Sequence, residues 1–256
     1  MTVREPKTNN KVLTIRINAG FNAGVLTAGL LALTDISAGM AGAYLRKLFP
    51  AIDCGIALEE RVVSGISGIS CRVMTPPEHA HRHPEDIAAI YAKSTLSEVA
   101  RTQAANVWRV LTSAEGRVHG MAPEDVHFHE VGRMSNILAI GLCAEFLSKL
   151  NFAKVVVSPI PMTEGEVHCA HGLVPYPAPA LFAMLDGVAV RPASGEGELI
   201  TPTGLAMLKG FGAEFGAWPE MTVERTAQTF LAGNTLFPGT PNGTRFVMGR
   251  LIPALD

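Results

Sequence analysis

The sequence predicts an α/β protein: a mixed sheet flanked by helices, folded as a single compact domain or two closely packed subdomains. Three observations lead there. Strand-like and helix-like segments alternate along the 256 residues, 48% of residues are hydrophobic, and only 17% are charged. That balance supports a sizeable core and excludes a disordered chain. Aromatic residues make up only 6%, so aliphatic side chains must fill the core.

Lys11 to Ile17 alternates polar and apolar residues and reads as a strand. Glycines 20 and 24 follow, then the apolar run Val25 to Leu33, suited to a buried helix. Ile56 to Met74 reads as short strands broken by Gly65 and Gly68, a hairpin or meander. From Ser94 to Gly120, Leu96, Val99, Ala100, Val107, Val110, Leu111, Ala114 and Val118 keep the spacing of one buried helical face. Ser94 suits the cap of that helix and Gly120 the left-handed position past its end. Arg133 to Leu150 carries charge only at Arg133, Glu145 and Lys149, which predicts a helix buried on most sides.

Val155-Val156-Val157 is a β-branched run expected of a strand covered on both faces. Ser158 to Pro179 holds five prolines and is expected to be irregular. A helix over Ala178–Leu185, a strand over Val188–Arg191 and a helix from Pro202, capped by Thr201, follow. Arg245 to Leu251 closes the chain as a strand. A subdomain boundary, if there is one, falls between Gly120 and Pro123.

Lys plus Arg is 21 and Asp plus Glu is 23, so the net charge is −2, which gives no footprint for nucleic acid or an anionic membrane. No stretch approaches the ~20 apolar residues of a membrane span. Met1 to Asn10, with Arg4, Glu5 and Lys7, does not read as a signal peptide, and the four cysteines form no C-x-x-C pair. A cytoplasmic protein is expected.

All eight histidines fall between His79 and His171, seven of them in three clusters. His79-Ala-His81-Arg-His83 places imidazoles two residues apart, on one side of an extended segment, and Pro84 favours that extended form. His127-Phe-His129-Glu130 repeats the step and adds a carboxylate. His168-Cys169-Ala-His171 offers two imidazoles and a thiol. These donors suit zinc, nickel, copper or iron(II). Blander roles fit the same residues: a solvated loop for the first run, and a hydrogen-bonded helix interface with Glu130 as a cap for the second.

Glu196 to Gly204 reads as a loop entering a helix, where Thr201, Thr203, Gly204 and free N–H groups suit a phosphate or simply a capped helix start. Asn18 to Gly24 looks like a phosphate loop but lacks the lysine of one.

Taken in order over residues 11 to 215, these segments resemble the LarC nickel-insertion family. The resemblance rests on His79-Ala-His81-Arg82-His83, Val118-His119-Gly120 and Val126-His127-Phe128-His129-Glu130-Val131-Gly132. It continues through Ser158-Pro159-Ile160-Pro161, His168-Cys169-Ala170-His171-Gly172, Pro175-Tyr176-Pro177 and Glu196 to Gly204. It implies a nickel chelatase of the lyase class. Such an enzyme inserts nickel into pyridinium-3,5-bisthiocarboxylic acid mononucleotide, with CTP and manganese or magnesium, to give the nickel-pincer cofactor. The resemblance places metal on His81, His83, His127, His129, Glu130, His168 and His171. Catalytic roles fall to Cys169 and Glu130, and substrate binding to Glu198, Thr201, Thr203 and Gly204.

The family's aspartates are replaced here by Ile17-Asn18-Ala19-Gly20 and by Ser135 and Ala139, which argues against a hard ion more than against nickel. The family's C-terminal nucleotide-handling domain is expected to be absent, so a separate partner chain or a homo-oligomer belongs to the reading. Two alternatives stand beside it. One is a paralogue that binds metal or ligand without turnover. The other is a metal-dependent hydrolase using Glu130 as base on a metal-bound water.

Overall fold

The computed structural model describes residues 9–253, apart from 80, 170, 171, 234, 235 and 238–240. In chain order it contains β1 (Lys11–Ala19), α1 (Ala23–Leu33), α2 (Ala38–Leu48), β2 (Gly55–Val63), β3 (Ile66–Met74), α3 (Pro84–Ala92) and α4 (Glu98–His119). Next come α5 (Met134–Leu150), β4 (Lys154–Val157), β5 (Ile160–Met162), β6 (Gly165–Cys169), β7 (Gly172–Tyr176) and α6 (Pro179–Ala183). The remainder is β8 (Val190–Pro192), α7 (Pro202–Gly210), β9 (Glu214–Phe215), β10 (Met221–Thr229) and β11 (Gly243–Leu251).

Seven strands form a mixed sheet in the order β2-β3-β10-β11-β1-β4-β9. β1 is an interior strand beside the central β11, antiparallel to it and parallel to β4. The alternation read in Lys11–Ile17 suggests a half-buried strand, yet Val12 and Thr14 are as fully buried as Leu13. Such an interior strand has neighbours on both edges and cover on both faces. Leu13, Ile15 and Ile17 join one core with α1, α4, α5 and α7.

α5 is the most enclosed helix: every residue from Ile137 to Leu147 is buried. Gly141 is needed there, because an added Cβ would stand 2.7 Å from the Phe49 ring. α1 is nearly as buried, and among the described residues no single helix is long and apolar enough to cross a membrane.

Three expectations are corrected. Ser97, not Ser94, caps α4, its hydroxyl accepting from Ala100 N at 3.2 Å. Ser94 instead donates to the Tyr91 carbonyl at 2.6 Å, and Thr95 is bonded to the end of α2 through its N–H and its hydroxyl. Gly68 does not break its strand. β10 passes there so closely that a Cβ would meet the Gln228 carbonyl at 2.7 Å. The segment Ser158–Pro179 is not irregular: β6 and β7 form a hairpin with His168 opposite Leu173, and β5 pairs with β8. Its prolines lie mainly at strand edges and ends, where a missing N–H costs little.

Glu145 ties three helices together. Its carboxylate accepts from Ser97 N and the Ser97 hydroxyl, each at 2.9 Å, and from the Tyr44 hydroxyl at 3.1 Å. Burial pushes this carboxyl up. The Ser97 donors, Tyr44 and Lys149 outweigh burial and hold it below the usual carboxylate range. A depressed folded-state pKa gives stability that is present above the unfolded value and lost as pH falls through the folded one. Glu145→Gln should therefore cost about 1–3 kcal/mol at pH 7. Urea melts at pH 7 and pH 3 should show that difference shrinking in acid.

Candidate functional site

Two histidine segments far apart in sequence are laid side by side by one antiparallel bridge. Arg82 N donates to the Phe128 carbonyl at 3.1 Å, and Phe128 N donates to the Arg82 carbonyl at 2.8 Å. Side chains alternate along extended backbone, so the residues flanking this pair emerge together on the opposite side. The rings of His81 and His127 stack with centroids 4.8 Å apart. His129 stands 5.3 and 5.0 Å from them. One ligand nitrogen from each of His81, His127 and His129 lies within 4.8 Å of the others. Small ring rotations bring such a set onto one ion at ~2.0–2.1 Å per nitrogen.

The other side of the bridge is its anchor. Phe128 is 1% exposed and meets Trp108 edge-on at 5.2 Å. Trp108 Nε1 donates to the Tyr91 hydroxyl at 2.9 Å, which donates to the Ile137 carbonyl at 2.8 Å. Arg82 donates to the Gly132 carbonyl at 2.8 Å and pairs with Glu78 at 2.6 Å. Glu78 also accepts from Met134 N, so it caps α5 and fastens the loop at once. That capping role, read above for Glu130, goes to a residue the sequence reading did not single out. Its only signal was the four-residue spacing from Arg82.

His83 stands at the rim. It caps α3, its N–H bonded to Asp86 at 2.8 Å, and its Nδ1 meets the Val126 carbonyl at 3.2 Å. Its ring lies 5.8 and 6.2 Å from those of His81 and His127. His79 is exposed and outside the cluster.

A groove runs past this cluster. Its first part, about 200 Å³, is walled by His127, His129, Glu130 and the last turn of α4. It shares Glu130, Val131, Ala178 and Pro202 with a second cavity of about 280 Å³, lined also by Asn22, Asn136, His168, Glu198 and Thr203. The structure therefore brings Glu130, His168, Glu198 and Thr203 into one cavity beside the histidines. His171 and the side chain of Cys169 lie outside the described residues; the backbone of Cys169 ends β6.

Two helix starts meet at that second cavity. A bridge between Phe21 and Ile200, with Thr201 N donating to the Phe21 carbonyl at 3.0 Å, sets the start of α7 beside the start of α1. Thr201 caps α7 by accepting from Gly204 N at 3.1 Å, and Asn22 caps α1 by accepting from Val25 N at 3.0 Å. Asn22 belongs to the Asn18–Gly24 stretch that looks like a phosphate loop, and it lines this cavity. Gly204 serves packing, since its Cβ would meet the Phe21 carbonyl at 2.9 Å.

Burial, and then the charge of Glu130, push the Glu198 carboxyl up to about 7. For a carboxyl raised above its unfolded value, stability is lost as pH rises from ~4.3 toward the folded value. Glu198→Gln should make the protein more stable at pH 8 by about 1–3 kcal/mol, at ~1.4 kcal/mol per pKa unit. The gain should vanish near pH 4 in thermal melts.

The family model described as nickel insertion protein matches residues 13–254. A Geotalea daltonii relative, named for nickel insertion, is 34% identical over 246 residues, 96% of this chain and 63% of its own. The pyridinium-3,5-bisthiocarboxylic acid mononucleotide nickel insertion protein of Geobacillus kaustophilus is 38% identical over 208 residues, 81% of this chain and 48% of its own. Its namesake in Staphylococcus epidermidis is 35% identical over 217 residues, 84% and 54% of the two chains. This chain thus spans between about half and two-thirds of these relatives' lengths, and no solved structure matches it. A match over almost the whole chain, on a fold that gathers its histidines at one groove, shows that this chain belongs to the nickel insertion protein family.

Proposed function

We propose that this chain holds nickel on His81, His127 and His129 and inserts it into pyridinium-3,5-bisthiocarboxylic acid mononucleotide seated in the adjoining cavity. The observation that carries the reading is the histidine triad, two members of which (His127 and His129) line a groove that continues, through Glu130, to two helix starts. Imidazole is a borderline ligand: it binds nickel, yet yields it to sulfur donors brought alongside. The mononucleotide's phosphate meets the backbone N–H groups of Ala23 and Thr203 at the positive ends of α1 and α7, with the Thr203 hydroxyl beside them. Its cationic ring then lies against Glu130 and Glu198, which also accounts for two carboxylates in a cavity that takes an anion at its other end. The sulfur groups face the triad.

His168, at the same cavity, and Cys169 next to it in sequence supply the donors that help nickel change partners, with His83 at the rim and His171, two residues beyond Cys169 in sequence, as a further donor. The lyase-class reaction, its use of CTP with manganese or magnesium, a cytoplasmic setting and a partner chain for the nucleotide complete the proposal.

Nickel titration of untagged protein tests the metal half. One tight equivalent is expected, and His127→Ala combined with His129→Ala should weaken it on the order of 100-fold, about 2.8 kcal/mol at ~1.4 kcal/mol per tenfold. Tight binding unchanged in that variant would refute the triad. Calorimetry with the mononucleotide tests the other half. Thr203→Val keeps the Thr201 cap and the fold but should weaken binding by about tenfold or more, a charged hydrogen bond being worth ~1.5–3 kcal/mol. Hydrolysis of simple esters by the zinc-loaded protein would instead favour Glu130 acting on a metal-bound water.

A further inference from the structure

Leu13, Ile15 and Ile17 of β1 and Phe246 and Met248 of β11 belong to the main core. Strand alternation therefore puts Arg16 and Arg245 on the opposite face of the large sheet. The register extends this pair into a row from β2 to β1. Arg61 stands opposite Gly68, Gln228 opposite Arg245, and Arg245 opposite Arg16. The pairing of Thr229 with Ile69 sets Gln228 beside Gly68 and closes the row.

A cavity of about 630 Å³ opens on this row, lined by Asn18, Arg61, Gln228, Arg245, Phe230 and Phe237 among others. The Phe230 ring rests on Gly68, where an added Cβ would stand 2.7 Å from it. Phe230 and Phe237 are both buried, so part of the wall is apolar and water-free. Charge beside such a wall attracts a counter-ion more strongly than charge in open water.

Arginine on a sheet face is ordinarily solvated or paired with an acid. On this same face Arg72 is paired, with Glu59 at 2.7 Å. Arg82, Arg117, Arg225 and Arg250 also have carboxylate partners. Among the described residues Arg61 and Arg245 have none, and no carboxylate lines their cavity, although the chain carries a net charge of −2. The 230–242 segment between β10 and β11 contains no Asp or Glu. Glu60 alternates to the other face with its partner Ile69.

Like charges directly opposite each other weaken a sheet, and Arg16 leans away from Arg245. It donates to the Gly216 carbonyl at 2.9 Å and lies over the Trp218 ring. Arg245 is steered toward the cavity instead, its Nε donating to Gln228 Oε1 at 3.3 Å. Arg61 is held from the other side by donating to the Leu231 carbonyl. Each bond uses part of a guanidinium that carries five N–H donors.

We propose that Arg61 and Arg245, with Asn18 and Gln228 beside them, bind a small organic anion carrying two acid groups, one for each guanidinium. The planar fork of arginine matches the paired oxygens of a carboxylate or a phosphate. Two such forks, rooted three strand spacings or about 14 Å apart, call for two acid groups rather than one. The phenyl rings take the carbon chain between them. This site lies on the sheet face away from the core helices and does not rest on the nickel function proposed above.

The test titrates the whole chain with sodium succinate, phosphoglycolate, phosphate and acetate, against sodium chloride at matched ionic strength. Binding is read by calorimetry and by NMR of the arginine Nε–Hε groups. Succinate or phosphoglycolate should bind at least tenfold more tightly than phosphate or acetate and shift the Arg61 and Arg245 signals. Preference for succinate would assign a dicarboxylate, and preference for phosphoglycolate a phosphorylated acid. Arg61→Gln combined with Arg245→Gln should weaken binding at least tenfold, whereas Arg72→Gln, on the same face outside the cavity, should leave it unchanged. Absence of any binding beyond that of chloride would overturn the site. So would binding that shifts neither arginine, or that Arg72→Gln weakens as much as the double variant does. The NMR reading uses the unsubstituted protein, so it decides the matter even if the double variant fails to fold. No metal enters the titration, so its result stands apart from that of the nickel titration.

Discussion

The two backbone hydrogen bonds between Arg82 and Phe128 set the geometry on which the whole groove depends. Each is worth only ~1 kcal/mol net, so alone they would not hold two loops together. They hold because both residues are anchored from behind. Phe128 is sunk against Trp108, and Arg82 is bonded to the Gly132 carbonyl and to Glu78. Gly132 leaves room for this arrangement, since a Cβ there would meet the Phe128 Cβ at 2.7 Å. The alternation of extended backbone then converts a buried phenylalanine into exposed histidines on either side of it. The core sets the position of the three histidines proposed to hold the metal, and those histidines themselves carry almost none of the folding.

A similar logic governs the other end of the groove. The starts of α1 and α7 are brought together by backbone bonds between residues 20–21 and 199–201, which join the first and the last helix of the fold. Helix starts present N–H groups and positive potential, whereas Glu130 and Glu198 present negative charge in the same space. Burial makes the second carboxylate costly to ionise beside the first. A cavity lined by both kinds of group suits a ligand that carries both signs of charge.

Much of the fold was legible because its signals are local. The strand at Lys11, the buried helices and the Thr201 cap follow from periodicity and from side chains that satisfy nearby N–H groups. What escaped depends on distant partners. Glu145 draws the start of α4 to Ser97 from 48 residues away, which no local pattern announces. The β6–β7 hairpin hides behind prolines whose cost depends on which edge of the pair they occupy. β10 is a largely exposed strand with weak periodic contrast.

The site was legible in type but not in assembly. Each histidine cluster announces metal chemistry, yet its spacing does not say which clusters meet. Nothing in the sequence says whether the His127 segment meets the His168 segment or the His79–His83 run. In the structure the His127 segment pairs directly with that run, while His168 reaches the same groove through the neighbouring cavity. The deciding contact is the apolar one. Once Phe128 is buried, the backbone beside it bonds to Arg82, flanked by His81 and His83. Histidines proposed as metal ligands, set on the rim of a packed phenylalanine, stay close to solvent, and three imidazoles would leave coordination positions open. This placement suits an ion that must arrive and depart rather than one that holds a fold together.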